Sequence, residues 1–476
     1  MMKHGINEKG EQRKLERKTV SGIMLTLLLI GMLTLAFNIQ PVRASGTIYI
    51  RADGSVDPPD APIQRNGDLY TLTGNITSDA GGIVIERNNM TLDGADCTIS
   101  GTGSGRGIVF EQQGYLLGRS NVTIKNVEIK QFSWGIDLWR SSNNSVVGNN
   151  ITANNYVGIN LYMASNNIIS GNNLTNNWYG IILSEFSNNN SIVGNTFTSD
   201  GLWVQDSYGN MVEGNVVNNK PLVYLEGRSD YTVGDARQVI LVNCDSIRVE
   251  NLTLSNTYVG LELWGTNNSK IANNNITNNT VGIVLGPSSN NSIFGNNIAN
   301  NSLGVGLYKS SDNNISGNNI TNNNGYGIQL QYSLYNSFFG NNITANKCEG
   351  IWLESSSYNS ILGNIITNNK GCGIFQHGSL NNSILKNNIT NNACGIWFEE
   401  SSLYNSISGN NIANNWIGIW LWYSSNDNSI YHNNFVNNVD QFYTSNSVNV
   451  WDDGYPSGGN YWSDYAGVDI NGDGIG

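Results

Sequence analysis

The chain has 476 residues, of which 39% are hydrophobic, 10% aromatic and only 13% charged, with 54 glycines against 7 prolines. That much apolar material excludes simple disorder. The formal net charge of −12 leaves no basic surface for nucleic acid, which is excluded as a partner.

Residues 1–44 read as a signal peptide or an N-terminal anchor. Lys3, Lys9, Arg13, Lys14, Arg17 and Lys18 precede an apolar run from Gly22 to Phe37. Val42-Arg43-Ala44 then forms a small-x-small cleavage site before Ser45. The body is therefore expected to be secreted or held at the cell surface, or periplasmic in a host with an outer membrane. No later run is long and apolar enough for a membrane helix. Without the leader the balance is 17 basic against 33 acidic residues.

Residues 45–140 read as an N-terminal cap and first turns, with "IVIERNNMTLDGADCTISG" (83–101) and "NVTIKNVEIKQFSWGIDLW" (121–139) as strand-rich stretches. From 141 to 437 the chain repeats itself. Units resembling "GNNIT" begin at Gly148, Gly171, Gly194, Gly214, Ala272, Gly295, Gly317, Gly340, Gly363, Lys386, Gly409 and His432, mostly 22 or 23 residues apart. Such a period outranks any local signal. Each unit holds three short strand-like pieces, "NSI", "NNIT" and the alternating "GI-x-L", joined by Asn and Gly.

Three short strands per 22–23 residues make one turn of a three-sided coil, each strand pairing with its copy ~4.8 Å above. The fold class is therefore all-β: a single right-handed parallel β-helix of about fifteen turns, ~70 Å long. Ile and Leu point inward, Gly and Asn take the left-handed backbone at the corners, and repeated Asn side chains can form ladders. Residues 218–250 break the period and read as an insertion bulging from one face. Residues 438–476 read as an aromatic C-terminal cap, "WDDGYPSGGNYWSDY" (451–465), which shields the last strands from end-to-end pairing. A truncated calcium-loop-like tail follows.

Those "NNSI-x-GNNIT-NN-x-x-GI-x-L" units, with the block from Pro221 to Asn256 and the final "SVNVWDDGYPSGGNYWSDYAGVDINGDGIG", resemble the NosD-like right-handed β-helix repeat proteins of the pectate-lyase-like superfamily. The resemblance covers nearly all of 47–476. It implies an exported β-helix, and it carries an association with copper-enzyme maturation and, through the superfamily, with carbohydrate binding and cleavage.

In "GI-x-L-x" the x residues are expected to face solvent. The first x reads Trp352, Phe375, Trp397 and Trp420 down four turns, and the second reads Glu354, His377, Glu399 and Trp422. An exposed aromatic row suits sugar rings, so the expected partner is a polysaccharide or cell-surface glycan, held by a monomer along Trp352, Phe375, Trp397, Trp420 and Trp422. Mutual stacking of rings for stability would give the same pattern. Glu354, His377 and Glu399 are the candidates for catalysis by a polysaccharide lyase, hydrolase or epimerase. The superfamily's Asp-pair, Gly-His-Gly and Arg-x-Lys signatures are missing, and the reading stays with non-catalytic binding.

Two metal readings remain. Cys348, Cys372 and Cys394, with His377 nearby, are spaced one turn apart and could hold a soft metal such as copper. The same spacing fits a buried Cys stack or a Cys372–Cys394 disulfide. In "DINGDG", Asp469, Asn471 and Asp473 occupy positions 1, 3 and 5 of a calcium loop, so calcium is the cofactor this stretch suggests. The acid expected at position 12 lies beyond the last residue.

Overall fold

The computed structural model describes residues 42–43, 46–110 and 118–468. Among them every regular element is a strand, and the strands wind into a right-handed parallel β-solenoid of about 17 turns. Most of the leader lies outside the described residues, although Val42–Arg43 pairs with Ile76–Thr77. The calcium-like Asp469, Asn471 and Asp473 also lie outside them.

One repeat shows how the sequence dictates the turn. Asn314–Ser316, Asn319–Thr321 and Ile328–Gln331 are its three strands. Gly317 and Asn322 stand between them at φ 60° and 56°, the left-handed region that Gly and Asn tolerate. Ile315, Ile320, Ile328 and Leu330 are completely buried. Pairing is in register from turn to turn, so Ile328, Ile351, Ile374, Ile396 and Ile419 form one inward column. Each turn alone would bury little, and stacking supplies the core.

The corners are held by side-chain ladders. In the second half one ladder runs from Asn291 to Asn428, another from Asn274 to Asn433, and a third from Asn279 to Asn438. Asn318 Nδ2 donates to Asn341 Oδ1 at 3.0 Å and to Ile293 O at 2.9 Å, and the Asn318 main-chain N–H donates to the same Oδ1 at 3.0 Å. A parallel serine ladder passes through Ser288, Ser310, Ser333 and Ser356. These bonds satisfy corner backbone groups that the strands leave unpaired.

The expected insertion at 218–250 is corrected. Those residues do not bulge from a continuous coil; they end one coil and begin another. Val216–Val217 turns back through Asn218 and Asn219, both at positive φ, into the antiparallel Lys220–Glu226. Lys220–Glu226 then pairs in parallel with Gln238–Val242, which pairs with Val259–Trp264. The core is accordingly divided in two. Val239, Leu241, Leu261 and Leu263 point into the second coil. Leu222, Ile240, Val242 and Trp264, on the opposite face of the same strands, join the core of the first. The outer face of the second coil's first strands thus closes the open end of the first coil.

Polar side chains complete that closure. The Gln238 amide accepts from Leu202 N at 3.1 Å and donates to Leu202 O at 2.7 Å. Glu262 Oε2 accepts from Val204 N at 3.4 Å, and Thr257 Oγ1 donates to Asp200 O at 3.0 Å. Leu202–Val204, the end strand of its sheet in the first coil, is thereby spared an unpaired edge. At the far end Trp451 and Trp462 pack against the second core. There Asn449 and Asn460 add one rung each to two of the ladders.

Candidate functional site

The sheet that begins at Lys220–Glu226 presents its outer face along the second coil. Because its strands pair in register, side chains of equal position form straight columns. Gln329, Trp352, Phe375, Trp397, Trp420 and Tyr443 are one such column. Tyr308, Gln331, Glu354, His377 and Glu399 are the next, with Trp422 immediately beyond the strand Ile417–Leu421. All five aromatic residues read from the sequence are therefore brought together.

Their exposure differs from the expectation. Trp352, Phe375, Trp397, Trp420 and Trp422 are half-buried. Trp397 lies flat on Trp420 with centroids 4.5 Å apart and planes at 7°. Phe375 meets Trp397 edge-on at 4.9 Å, and Tyr443 meets Trp420 edge-on at 5.6 Å. Trp352 stacks on Tyr326 of the preceding turn at 4.8 Å. The indole N–H groups of Trp352, Trp397 and Trp420 are shielded and have no hydrogen-bond acceptor. The physical reason is the strand spacing of ~4.8 Å, which lets large rings on successive turns lie on one another. What remains open is the outer rim of the column.

Tyr326, Tyr443, Tyr423 and Trp416 were missed by sequence reasoning. Tyr423 stacks on Trp422 at 4.3 Å, and Trp416, in the turn before Ile417–Leu421, is 67% exposed. Tyr443 stands in "DQFYT", which lacks the "GI-x-L" signature although it occupies the same register. Tyr326 could have been found as the residue before that signature in "GYGIQL".

The three candidate catalytic residues are also neighbours, but their partners describe a surface network. Gln331 Nε2 donates to Glu354 Oε2 at 2.8 Å. His377 faces two acids, with Nε2 3.1 Å from Glu400 Oε2 and Nδ1 4.0 Å from Glu399 Oε2. Burial pushes the Glu399 carboxyl up, and nearby His377 opposes the rise. Glu354 and Glu399 stand two turns apart, ~10 Å along the sheet, beyond the range of ~6.5–9.5 Å for an inverting carboxylate pair.

The soft-metal reading of the cysteines is corrected by their bonding. Cys372 and Cys394 form a disulfide between adjacent turns, with Cα atoms 4.4 Å apart. A disulfide leaves no thiolate pair for a metal. Cys348 is a free, half-buried thiol whose ionisation is opposed first by burial and then by Glu349.

Residues 223–361 and 345–467 match the family described as "Periplasmic copper-binding protein (NosD)", and residues 81–237 match "Right handed beta helix region". No curated protein matches the sequence. Among solved structures the chain is similar to the periplasmic alginate epimerase AlgG, at 14% identity over 75% of this chain and 83% of that one, with a TM-score of 0.30. It is similar to the Azotobacter vinelandii mannuronan C-5 epimerase AlgE6 A-module at 15% identity, over 74% and 89%, with a TM-score of 0.31. It is also similar to the enzymatically active domain of Bacteriophage CBA120 tailspike protein 2 at 12% identity, over 72% and 43%, with a TM-score of 0.26. Scores this low carry no argument about activity.

The family's description raises copper, and the donors do not fit it. Among the described residues no three His, Cys, Asp or Glu side chains converge on a point that could hold a metal ion. His377 is engaged by acids, and His432 lies against Asp453 and Ser457. Copper sites want clustered Cys, Met or His. Protein loaded with excess Cu(I) or Cu(II) and then dialysed is expected to retain no stoichiometric copper by elemental analysis. One equivalent held would overturn this reading. The family match runs over 223–467, half of the chain, and it falls on a right-handed parallel β-helix built from the repeats described above. The chain belongs to the NosD family.

Proposed function

We propose that this protein is an exported, non-catalytic carbohydrate-binding β-helix that holds a glycan along the outer face of its second coil. Trp352, Phe375, Trp397, Trp420 and Trp422 are its contact residues. The observation that carries the reading is the register, which places an aromatic ring at one position in successive turns beside a column of amides, acids and one histidine. Sugar C–H faces lie against aromatic surface while hydroxyls bond to polar groups alongside, the usual composition of a ligand site. A surface periodic along its axis suits a polymer of repeating units. Export is supported by the basic-then-apolar leader and by the family's description as periplasmic.

The test is co-sedimentation with a panel of insoluble neutral polysaccharides. The wild type is expected to pellet with at least one of them. The triple substitution Trp352→Ala, Trp397→Ala and Trp420→Ala should weaken that binding by tenfold or more, equivalent to at least ~1.4 kcal/mol. Because these rings also stack on one another, the corresponding Phe variants serve as the folding control and should bind between the two. Undiminished binding by the triple Ala variant would remove the column as the contact face. Turnover of a polysaccharide that Glu354→Gln or Glu399→Gln abolishes would replace binding by catalysis.

A further inference from the structure

One corner of the second coil carries side chains that the fold does not require. It precedes the strands Ser337–Phe339, Ser360–Leu362, Ser383–Leu385 and Ser406–Ser408, which pair in register. The residue two places before each strand therefore stands in one column with its copies. All members of the column from Asn268 to Asp427 lie in the left-handed region, with φ between 53° and 60°. Most turns place a short polar residue there, as at Asn268, Asn290 and Asn381, and such residues tolerate that backbone. Three turns place tyrosine instead, at 335, 358 and 404. A bulky side chain at such a φ is strained, and the asparagines of the same column show that the turn does not demand one. Tyr335 and Tyr358 stack with centroids 5.0 Å apart. Tyr404 has no ring neighbour among the described residues, so mutual stacking does not account for it. The three are 55%, 50% and 56% exposed, which leaves their faces open to a partner.

The four strands beside this corner bear no charged side chain, and Lys386 stands only at the next corner. Ser337, Ser360, Ser383 and Ser406 run down the middle of their outer face, with Phe339, Leu362 and Leu385 beyond them. Small residues between two margins of larger ones form a shallow trough along the axis of the coil. The hydroxyls of the three tyrosines and of these serines make no hydrogen bond among the described residues. Acids mark the two ends. Asp312 holds the corner one turn before Tyr335, and Asp427 holds it one turn after Tyr404. Both are exposed and form no ion pair among the described residues.

We propose that this trough docks a proline-rich segment of another protein, in the polyproline II conformation and flanked by a basic residue. The spacing supports it. A polyproline II helix has three residues per turn at ~3.1 Å each, a repeat of ~9.3 Å. Two turns of the coil advance ~9.6 Å, and two turns separate Tyr358 from Tyr404. Prolines three positions apart therefore meet the two rings, the mode in which aromatic-lined grooves hold such segments. Proline has no N–H, so the segment presents carbonyl acceptors, and the trough presents free hydroxyl donors. From Asp312 to Asp427 there are five turns, ~24 Å. About eight residues of the helix cover that length, which brings an arginine beside the prolines to either acid. This trough and the tryptophan face lie on different sheets of the coil, so either can fail without the other.

Fluorescence anisotropy of the full protein with a labelled peptide, one arginine followed by nine prolines, tests it. A Gly/Ser peptide of the same length and charge is the control, and a neutral cello-oligosaccharide is the competitor. The proline peptide should bind at least tenfold more tightly than the Gly/Ser peptide, and the sugar should not displace it. Tyr358→Asn with Tyr404→Asn should weaken binding tenfold or more. Because asparagine is what other turns use at this corner, that variant should melt at or above the wild-type temperature, which separates lost binding from lost fold. Asp312→Asn with Asp427→Asn should weaken the arginine-bearing peptide at least threefold and leave an arginine-free one unchanged. The Trp352, Trp397 and Trp420 triple variant should bind the peptide as the wild type does. Binding of neither peptide, equal binding of both, or undiminished binding by the tyrosine double variant would overturn the proposal. Displacement by the cello-oligosaccharide would assign the trough to a glycan and overturn it as well.

Discussion

Replacing Asn341 by Ala is expected to destabilise the second coil by about 4 kcal/mol or more, whereas Asn342→Ala should cost under ~1 kcal/mol. The two residues are neighbours of one type, and they differ in direction. Asn341 is buried in a ladder. Its Oδ1 accepts from the Asn318 main-chain N–H and from Asn318 Nδ2, both at 3.0 Å. Its Nδ2 donates to Ile315 O at 2.8 Å and to Asn364 Oδ1 at 2.9 Å. Alanine would leave those four buried partners short of a bond, and each buried group left unsatisfied costs ~1–3 kcal/mol. Asn342 points outward, where its Nδ2 donates to Asn319 Oδ1 at 2.8 Å and water can replace that acceptor. A solenoid opens locally, so hydrogen exchange over Asn314–Ser316, Asn342–Thr344 and Ile365–Thr367 is the measurement to make. Equal exchange in the two variants would mean that the ladder does not hold the corner.

The same ladder explains how much of the fold was legible in the sequence. The period, the three strands and the inward Ile columns follow from alternation and spacing alone, and all are present. The reversal at Val217 to Lys220 was hidden. A two-residue turn with both φ angles positive is the type I′ hairpin, whose signal is an Asn-rich dipeptide between apolar strands. Asn218 and Asn219 are that signal, but "NN" fills a corner in nearly every turn here, so the dipeptide that marks a hairpin elsewhere carries no information in this chain. The two extra turns were missed for a related reason. Ile48–Ile50, which precedes the stretch 83–101 read as strand-rich, belongs to the coil without the Asn-Gly corner that identifies a repeat.

At the candidate site the columns were legible and the burial was not. Register follows from the period, so Trp397 above Trp420 could be read directly. Whether a ring stands out or lies on its neighbour depends on the residue one column over and one turn away, as with Tyr326 beneath Trp352. Asp137 shows the converse. It occupies an ordinary outward position in "GIDLW", and only the packing of Trp134 and Trp139 around it reveals a buried charge.

Asp200→Asn is expected to stabilise the protein by about 2–4 kcal/mol at pH 8 and by little at pH 4. Asp200 ends the ladder Asn154–Asn177–Asp200 at the junction of the two coils, and it is completely buried. Its Oδ2 accepts from Asn177 Nδ2 at 2.8 Å and from Asn177 N at 3.2 Å, while Oδ1 has no partner. Burial pushes this carboxyl up from its ordinary 3.8 to about 7, against the pull of the Asn177 bonds. The native state therefore holds a proton that the unfolded chain has lost between about pH 4 and 7. Stability falls as pH rises through that window and levels off above it, a change of up to ~4 kcal/mol.

Asparagine removes the charge and keeps the acceptor. Its Nδ2 would also meet the carbonyl that earlier rungs use, as Asn177 Nδ2 uses Ile151 O at 3.0 Å; the equivalent for residue 200 is Leu174 O. Glu262 lies at the same junction, wholly buried, with Oε1 unpartnered and its carboxyl held well above the usual range by burial. Glu262→Gln should therefore remove a further part of the same slope. Denaturant midpoints of wild type, each single variant and the double variant from pH 4 to 8 give the comparison. If Asp200→Asn loses stability at pH 8, or if its pH slope matches the wild type, the acid is ionised in the fold and its charge is met by a partner. If the slopes flatten as expected, the junction is held by neutral acids, and the two coils are joined most firmly on the acidic side of neutrality.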